Sequence, residues 1–154
     1  MHSINYDSLD FEADNTAVID SGPFTGIAWE IEPNGNVANV VYYQGVQWGP
    51  ARTWNPSGML IEEEWWNRNS RSGASKSWND RGQLIREATF HGILVSEKIW
   101  DSEGNLLSEF SLGSDDPWIR SMEKYPNQAD PDDLQNMLRE YEENYQGKIT
   151  SDLA

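Results

Sequence analysis

Three consecutive carboxylates, Glu62-Glu63-Glu64, are the densest cluster in this chain that could do chemistry. Two carboxyl groups held about 5–10 Å apart across a cleft can divide acid and base roles, as in glycoside hydrolysis. On an extended strand, however, Glu62 and Glu64 share one face and Glu63 takes the other. Nothing nearby marks a cleft, so the run reads as a solvated or partner-facing edge. His91 stands in an expected turn without a serine, a cysteine or a partner motif, which makes it a surface residue rather than a base. Asp7, Asp10, Glu12 and Asp14 lack the glycine and the spacing of a calcium loop. The chain has no cysteine, so thiolate chemistry and disulfides are excluded. It also shows no phosphate-cradling glycine loop, zinc motif or nucleophile elbow. The expectation is a protein that is not an enzyme, with no catalytic residues, no cofactor and no metal.

The elements that would position these groups come from an internal repeat. Turn glycines Gly35, Gly58, Gly82 and Gly104 follow one another at 23, 24 and 22 residues. Nine residues before each stands Gly26, Gly49, Gly73 or Val95, and four before it Ile31, Trp54, Trp78 or Trp100. Two after it comes Val37, Leu60, Leu84 or Leu106, and five after it Val40, Glu63, Glu87 or Glu109. Eight after it comes Tyr43, Trp66, Phe90 or Leu112.

Asn55-Pro56-Ser57-Gly58 has type I turn chemistry. Asn can bond its own backbone, Pro presets φ, and Gly accepts the left-handed conformation. The other three turns are variants, and four-residue connections of this kind join antiparallel strands. The fold class expected is mainly β, an antiparallel meander of about eight strands built from four hairpin repeats. Simple alternation puts Trp54, Leu60 and Trp66 on one face, as a stripe of rings that continues through Trp78, Leu84 and Phe90. Glu63, Glu87, Thr53 and Ser77 fall on the opposite, wet face, and Arg52 lies near Glu62.

Three regions result: an acidic N-terminal segment (1–23), the repeats (24–112) and a helical C-terminal segment (113–154). Ala17-Val18-Ile19 suits a leading strand. In the tail, Asp130 can cap a helix, Pro131 suits its first position, and Asp132 and Asp133 favour its positive end. Leu134, Met137, Leu138, Tyr141 and Tyr145 share a face at helical spacing, and Gly147 closes the segment. A shorter helix spans Pro117 to about Lys124, with Trp118 and Met122 inward. A sheet that is apolar on one side needs a cover, and the helices are the candidates, packed on the stripe or capping the last repeat.

Eight Trp in 154 residues indicate a core that relies on large rings. The net charge is −15, with −5 in residues 1–23, −4 in 24–112 and −6 in 113–154. Such a surface repels phosphate backbones and anionic headgroups, so neither nucleic acid nor membrane is an expected partner. Basic proteins are favoured. No apolar run resembles a leader or a membrane span, so a cytoplasmic location is expected.

With the repeat laid out, the chain resembles the MORN-like repeat family that includes bacterial YwqK-type antitoxin proteins. The carrying motifs are Pro23-Phe24-Thr25-Gly26-Ile27-Ala28, Gly49–Trp54–Gly58–Leu60–Glu63–Trp66 and Gly73–Trp78–Gly82–Leu84–Glu87–Phe90. Ile31, Val95 and Arg68 depart from the pattern. The resemblance implies a sheet of hairpins and a binding role, that of an antitoxin or immunity protein. With the acidic surface, the expectation is that it occludes a cognate, basic toxin domain. A non-catalytic interaction scaffold is the alternative. No functional site carries over from the motif. The candidate partner-binding residues come from this chain's own irregularities: Tyr42, Trp48 and Trp65, read as exposed rings, and the edge Glu62, Glu63 and Glu64.

Overall fold

The computed structural model describes residues 2–20 and 22–145. The chain opens with β1 (Ser3–Asn5) and a single 3-10 turn (Tyr6–Ser8). β2 (Asp10–Phe11), β3 (Ala17–Ile19) and β4 (Gly22–Pro23) then form a small antiparallel sheet of their own. Eight strands follow as a meander: β5 (Gly26–Ile31), β6 (Val37–Tyr43), β7 (Val46–Trp54), β8 (Leu60–Asn67), β9 (Ser70–Trp78), β10 (Leu84–His91), β11 (Ile93–Trp100) and β12 (Leu106–Ser111). Each is antiparallel to the next, and β1 joins β5 in parallel to give nine strands. Two helices end the described chain, α1 (Pro117–Lys124) and α2 (Asp132–Asn144). The expected eight-strand meander with C-terminal helices is present. The leading strand is Ser3–Asn5, whereas Ala17–Ile19 lies in the small sheet.

The turns form as their residues dictate. Asn55 Oδ1 accepts from the backbone N–H of Ser57 and of Met59, both at 3.0 Å. Gly58 N–H donates to Asn55 O at 2.8 Å, with Gly58 at φ +82°. Asn79 and Asp101 repeat the arrangement with the backbone two and four residues on. Each hairpin closes on the predicted pair: Ile31 with Val37, Trp54 with Leu60, Trp78 with Leu84 and Trp100 with Leu106.

Beyond that pair the alternation expectation fails, because β8, β10 and β12 each carry an extra residue just after the turn. Thr53 pairs with Glu62, Ser77 with Arg86 and Ile99 with Ser108, which leaves Ile61, Ile85 and Leu107 unpaired. A bulge of one residue reverses every later side chain on that strand. Trp66 therefore lies on the face opposite Trp54, and the single stripe of rings does not exist. Arg52 pairs with Glu63, not Glu62. Glu63 and Glu87 lie on one face while Thr53 and Ser77 lie on the other. The first hairpin has no bulge, so Val40 and Glu63 occupy the same repeat position on opposite faces.

The core is confined to one end of the sheet. On one face of β5–β7, α2 packs Tyr141 against Ile27 and Val41, and Leu134 against Tyr43 and Trp48. On the other face, Leu9, Ala17 and Phe24 cover Ala28 and Tyr42. Leu134 and Tyr141 are fully buried, with Met137, Leu138 and Tyr145 packed alongside, as the periodicity predicted. Gly147 lies outside the described residues. Among the described residues of β8–β12, Ala88 is the only buried apolar side chain. α1 has the expected bounds, capped by Asp116, whose carboxylate accepts from Trp118 N–H at 2.8 Å. Trp118 is largely exposed rather than inward, its Nε1 donating to His91 O at 2.8 Å.

Candidate partner-binding surface

Bulges, strand register and the two covers decide where each candidate side chain goes. Tyr42 and Trp48 are not exposed anchors, since both are only 4% accessible. Tyr42 packs beneath the N-terminal segment, its ring 6.1 Å from that of Phe24. Burial, followed by the nearby Tyr6, pushes its phenol well above the ordinary range. Trp48 belongs to β7 and meets Tyr43 edge-on at 5.8 Å. Its Nε1 donates to Asp130 at 2.8 Å, which explains why Asp130 does not cap α2. The helix instead starts after Pro131 without a side-chain cap. Asp133 accepts from the Tyr43 hydroxyl at 2.7 Å, and that bond raises the phenol's pKa.

The glutamate run divides as alternation predicts. Glu63 lies on the α2 face, bonded to Arg52 Nε at 2.8 Å. Arg52 also reaches Glu142 at 2.7 Å and sits over the rings of Tyr141 and Trp65, at 5.2 Å and 5.7 Å. Burial disfavours its charge, yet the bonds to Glu142 and Glu63 prevail and hold its pKa above the ordinary value. Tyr141 Oη donates to Asn39 Oδ1 at 2.6 Å, while Asn39 Nδ2 and Arg52 Nη1 have no partner among the described residues. Trp65 is half-buried beside this network. No spacing signal announced it, because its members come from β6, β7, β8 and α2.

Glu62 and Glu64 lie on the other face. Glu64 accepts from Trp66 Nε1 at 3.1 Å and pairs with Arg71 at 2.8 Å. Arg71 stacks over Phe90 at 4.9 Å, and Arg86 bonds Glu97 at 2.7 Å. Glu62 is exposed. With Glu30, Thr53, Ser77 and Arg86 it lines a shallow depression of about 290 Å³. Of the long side chains that line it, Glu64 and Arg71 bond each other, and Arg86 is held by Glu97 outside it.

Paired positions on neighbouring strands share a face, so the register joins Arg52, Glu63, Lys76, Glu87, Lys98 and Glu109 into one row of alternating sign. Opposite-charge pairs across strands contribute about 0.2–1 kcal/mol each. Within the row Arg52 bonds Glu63 at 2.8 Å and Lys98 approaches Glu109 at 3.8 Å, a small addition to the backbone ladder. The charge is also uneven along the chain. Residues 70–111 hold six acids and five bases, a net of −1, and the remaining −14 lies outside them.

Among the described residues no cluster of His, Asp and Glu could hold a metal, and no helix is long and apolar enough to cross a membrane. The chain is similar to immunity protein YwqK of Bacillus subtilis (strain 168), with 34% identity over 136 residues that span 80% of this chain and 88% of that protein. No family model and no solved structure matches. Identity at that level over nearly the whole length of the relative makes this protein a member of the family of immunity protein YwqK.

Proposed function

We propose that this chain is an immunity protein that captures a cognate toxin domain and occludes its active site without chemistry. Kinship with immunity protein YwqK carries the reading. We also read the hairpins as MORN-like repeats, which supply a stiff sheet, and we expect the toxin to be basic. The −14 of charge outside residues 70–111 supports that choice, since a field of one sign accelerates encounter with a partner of the other. Glu62 and Glu64, on the face that α2 leaves open, are the proposed contact carboxylates. Glu63 and Trp65 contribute at the margin of α2, and Tyr42 and Trp48 act indirectly by holding the two covers.

The test pairs this protein with the product encoded beside its gene, taken as the candidate toxin. Co-expression should protect cells from that toxin, and the purified pair should form a complex. Raising ionic strength tenfold should slow association by about tenfold or more while changing dissociation far less. Absence of both complex and protection overturns the immunity reading. Association indifferent to salt overturns its electrostatic part alone.

A further inference from the structure

We propose that the hollow on the open face of the sheet is a socket for one arginine side chain of the captured protein, held between Glu30 and Glu62 above a floor of short side chains. The arginine is the toxin's own, so the socket rests on the immunity reading. The ladder fixes the layout. Glu30 pairs with Ala38, Ala38 with Thr53, Thr53 with Glu62 and Glu62 with Ser77, so these residues form one row on one face. Ala38 and Thr53 make the floor, and a carboxylate stands at each end of it. Glu32 lines the same hollow. The N-terminal cover packs on Ala28, Val40 and Tyr42 and leaves Glu30 and Glu62 exposed.

The bulge in β8 creates this arrangement. Without an extra residue there, strict alternation would set Ile61 opposite Thr53 and turn Glu62 toward α2. One inserted residue thus puts a carboxylate where an apolar side chain would stand. Bulges re-aim side chains in this way beside functional sites.

Charge and shape select the occupant. Both bases on this face are engaged: Arg71 bonds Glu64 at 2.8 Å, and Arg86 bonds Glu97 at 2.7 Å and Ser75 at 3.2 Å. Among the described residues no ion pair includes Glu30, Glu32 or Glu62. That end of the hollow is negative without an internal counter-ion, and a cation is its complement. Neighbouring strands lie about 4.8 Å apart, which sets the backbones of Glu30 and Glu62 about 14 Å apart. Side chains standing roughly perpendicular to the sheet at that separation do not close around a metal ion, which needs oxygens at about 2.3–2.6 Å. A guanidinium on a long stem suits the gap, because its planar fork offers N–H donors on opposite sides. The Thr53 hydroxyl adds an acceptor between the two carboxylates. An ammonium is a point charge and would satisfy one end only.

N-acetyl-arginine amide, titrated into the ¹⁵N-labelled full chain at low salt, tests the socket without the toxin. Amide shifts should centre on Glu30, Thr53, Glu62 and Ser77 and saturate with a Kd on the order of 1–10 mM, as befits so small a ligand. N-acetyl-lysine amide should bind at least about threefold more weakly. Glu30→Gln and Glu62→Gln should each weaken the arginine probe at least about threefold with the urea midpoint unchanged. Glu103→Gln, at an exposed carboxylate in the last hairpin turn, should leave binding as it was. In the toxin complex the same two socket substitutions should raise the dissociation rate at least about tenfold. Shifts spread evenly over the acidic surface, equal response to the two probes, or indifference to both socket substitutions overturns the proposal. A chain that captures no toxin yet binds the arginine probe in this pattern refutes the immunity reading and leaves the guanidinium site standing. A complex whose dissociation ignores both substitutions does the reverse.

Discussion

Tyr141→Phe removes one oxygen from the contact that fastens α2 to the sheet. The hydroxyl donates to Asn39 Oδ1 at 2.6 Å, and both residues are essentially inaccessible. Asn39 Nδ2 has no partner among the described residues, so the substitution leaves the amide without one there. Stranding a buried acceptor costs about 1–3 kcal/mol. The ring itself stays, keeping Arg52 at 5.2 Å and the stack on Tyr145 at 6.0 Å, so packing losses do not obscure the result. With a urea slope of about 1–3 kcal/mol/M, a loss of about 2 kcal/mol lowers the midpoint by about 1 M at unchanged slope. Adding Asn39→Leu to Tyr141→Phe should restore much of the loss, because replacing both partners by apolar groups leaves nothing unsatisfied. A double-mutant cycle should therefore report a coupling of at least about 1 kcal/mol. A Tyr141→Phe protein within about 0.5 kcal/mol of the parent, or a cycle that adds, would refute the reasoning.

Trp54, at 5% accessibility, should lose about 3–5 kcal/mol on replacement by Ala, and half-buried Trp78 should lose less; equal losses in urea unfolding would contradict the placement of the core at β5–β7. Gly58→Ala should cost about 1–2 kcal/mol, since φ is +82° but nothing lies within 4 Å of the new carbon. Gly45→Ala, at the same φ, would also overlap Thr16 and approach Ala17 O at 2.9 Å, so its loss should reach at least about 3 kcal/mol by thermal or urea unfolding. Burial raises the phenol pKa of both Tyr42 and Tyr141, the latter partly offset by Arg52. The unfolded chain then loses these protons first. Stability should hold below about pH 10 and fall as pH rises beyond it. Urea midpoints that climb through that window would show the sign to be wrong.

Much of the hairpin architecture could be read from the residues. In three of the four turns Asn or Asp three places before the glycine bonds the backbone around it, a wholly local event, and in the first Asn34 bonds Asn36 N–H instead. The apolar face of α2 and the bounds of α1 were equally local. The extra residue in β8, β10 and β12 was not legible, because Ile61, Ile85 and Leu107 are as apolar as their neighbours. That one unseen residue per strand reversed the facing of Trp66 and of the repeat glutamates. Tyr42 and Trp48 were misjudged for a different reason. Their covers come from residues about 20 before and about 90 after them, and no periodicity encodes such docking. Asp130 had two uses, helix cap or partner for an indole, and only the packed tail chose between them.

Because the segment before β5 and the helix α2 clasp the same three strands, the sheet is anchored at one end and cantilevered at the other. The outer hairpins owe their order to the strand beside them rather than to an interior. Such a terminus can be lengthened or trimmed by whole hairpins without reopening the clasp. Descendants of this design could thus vary the reach of the platform while leaving its foundation alone.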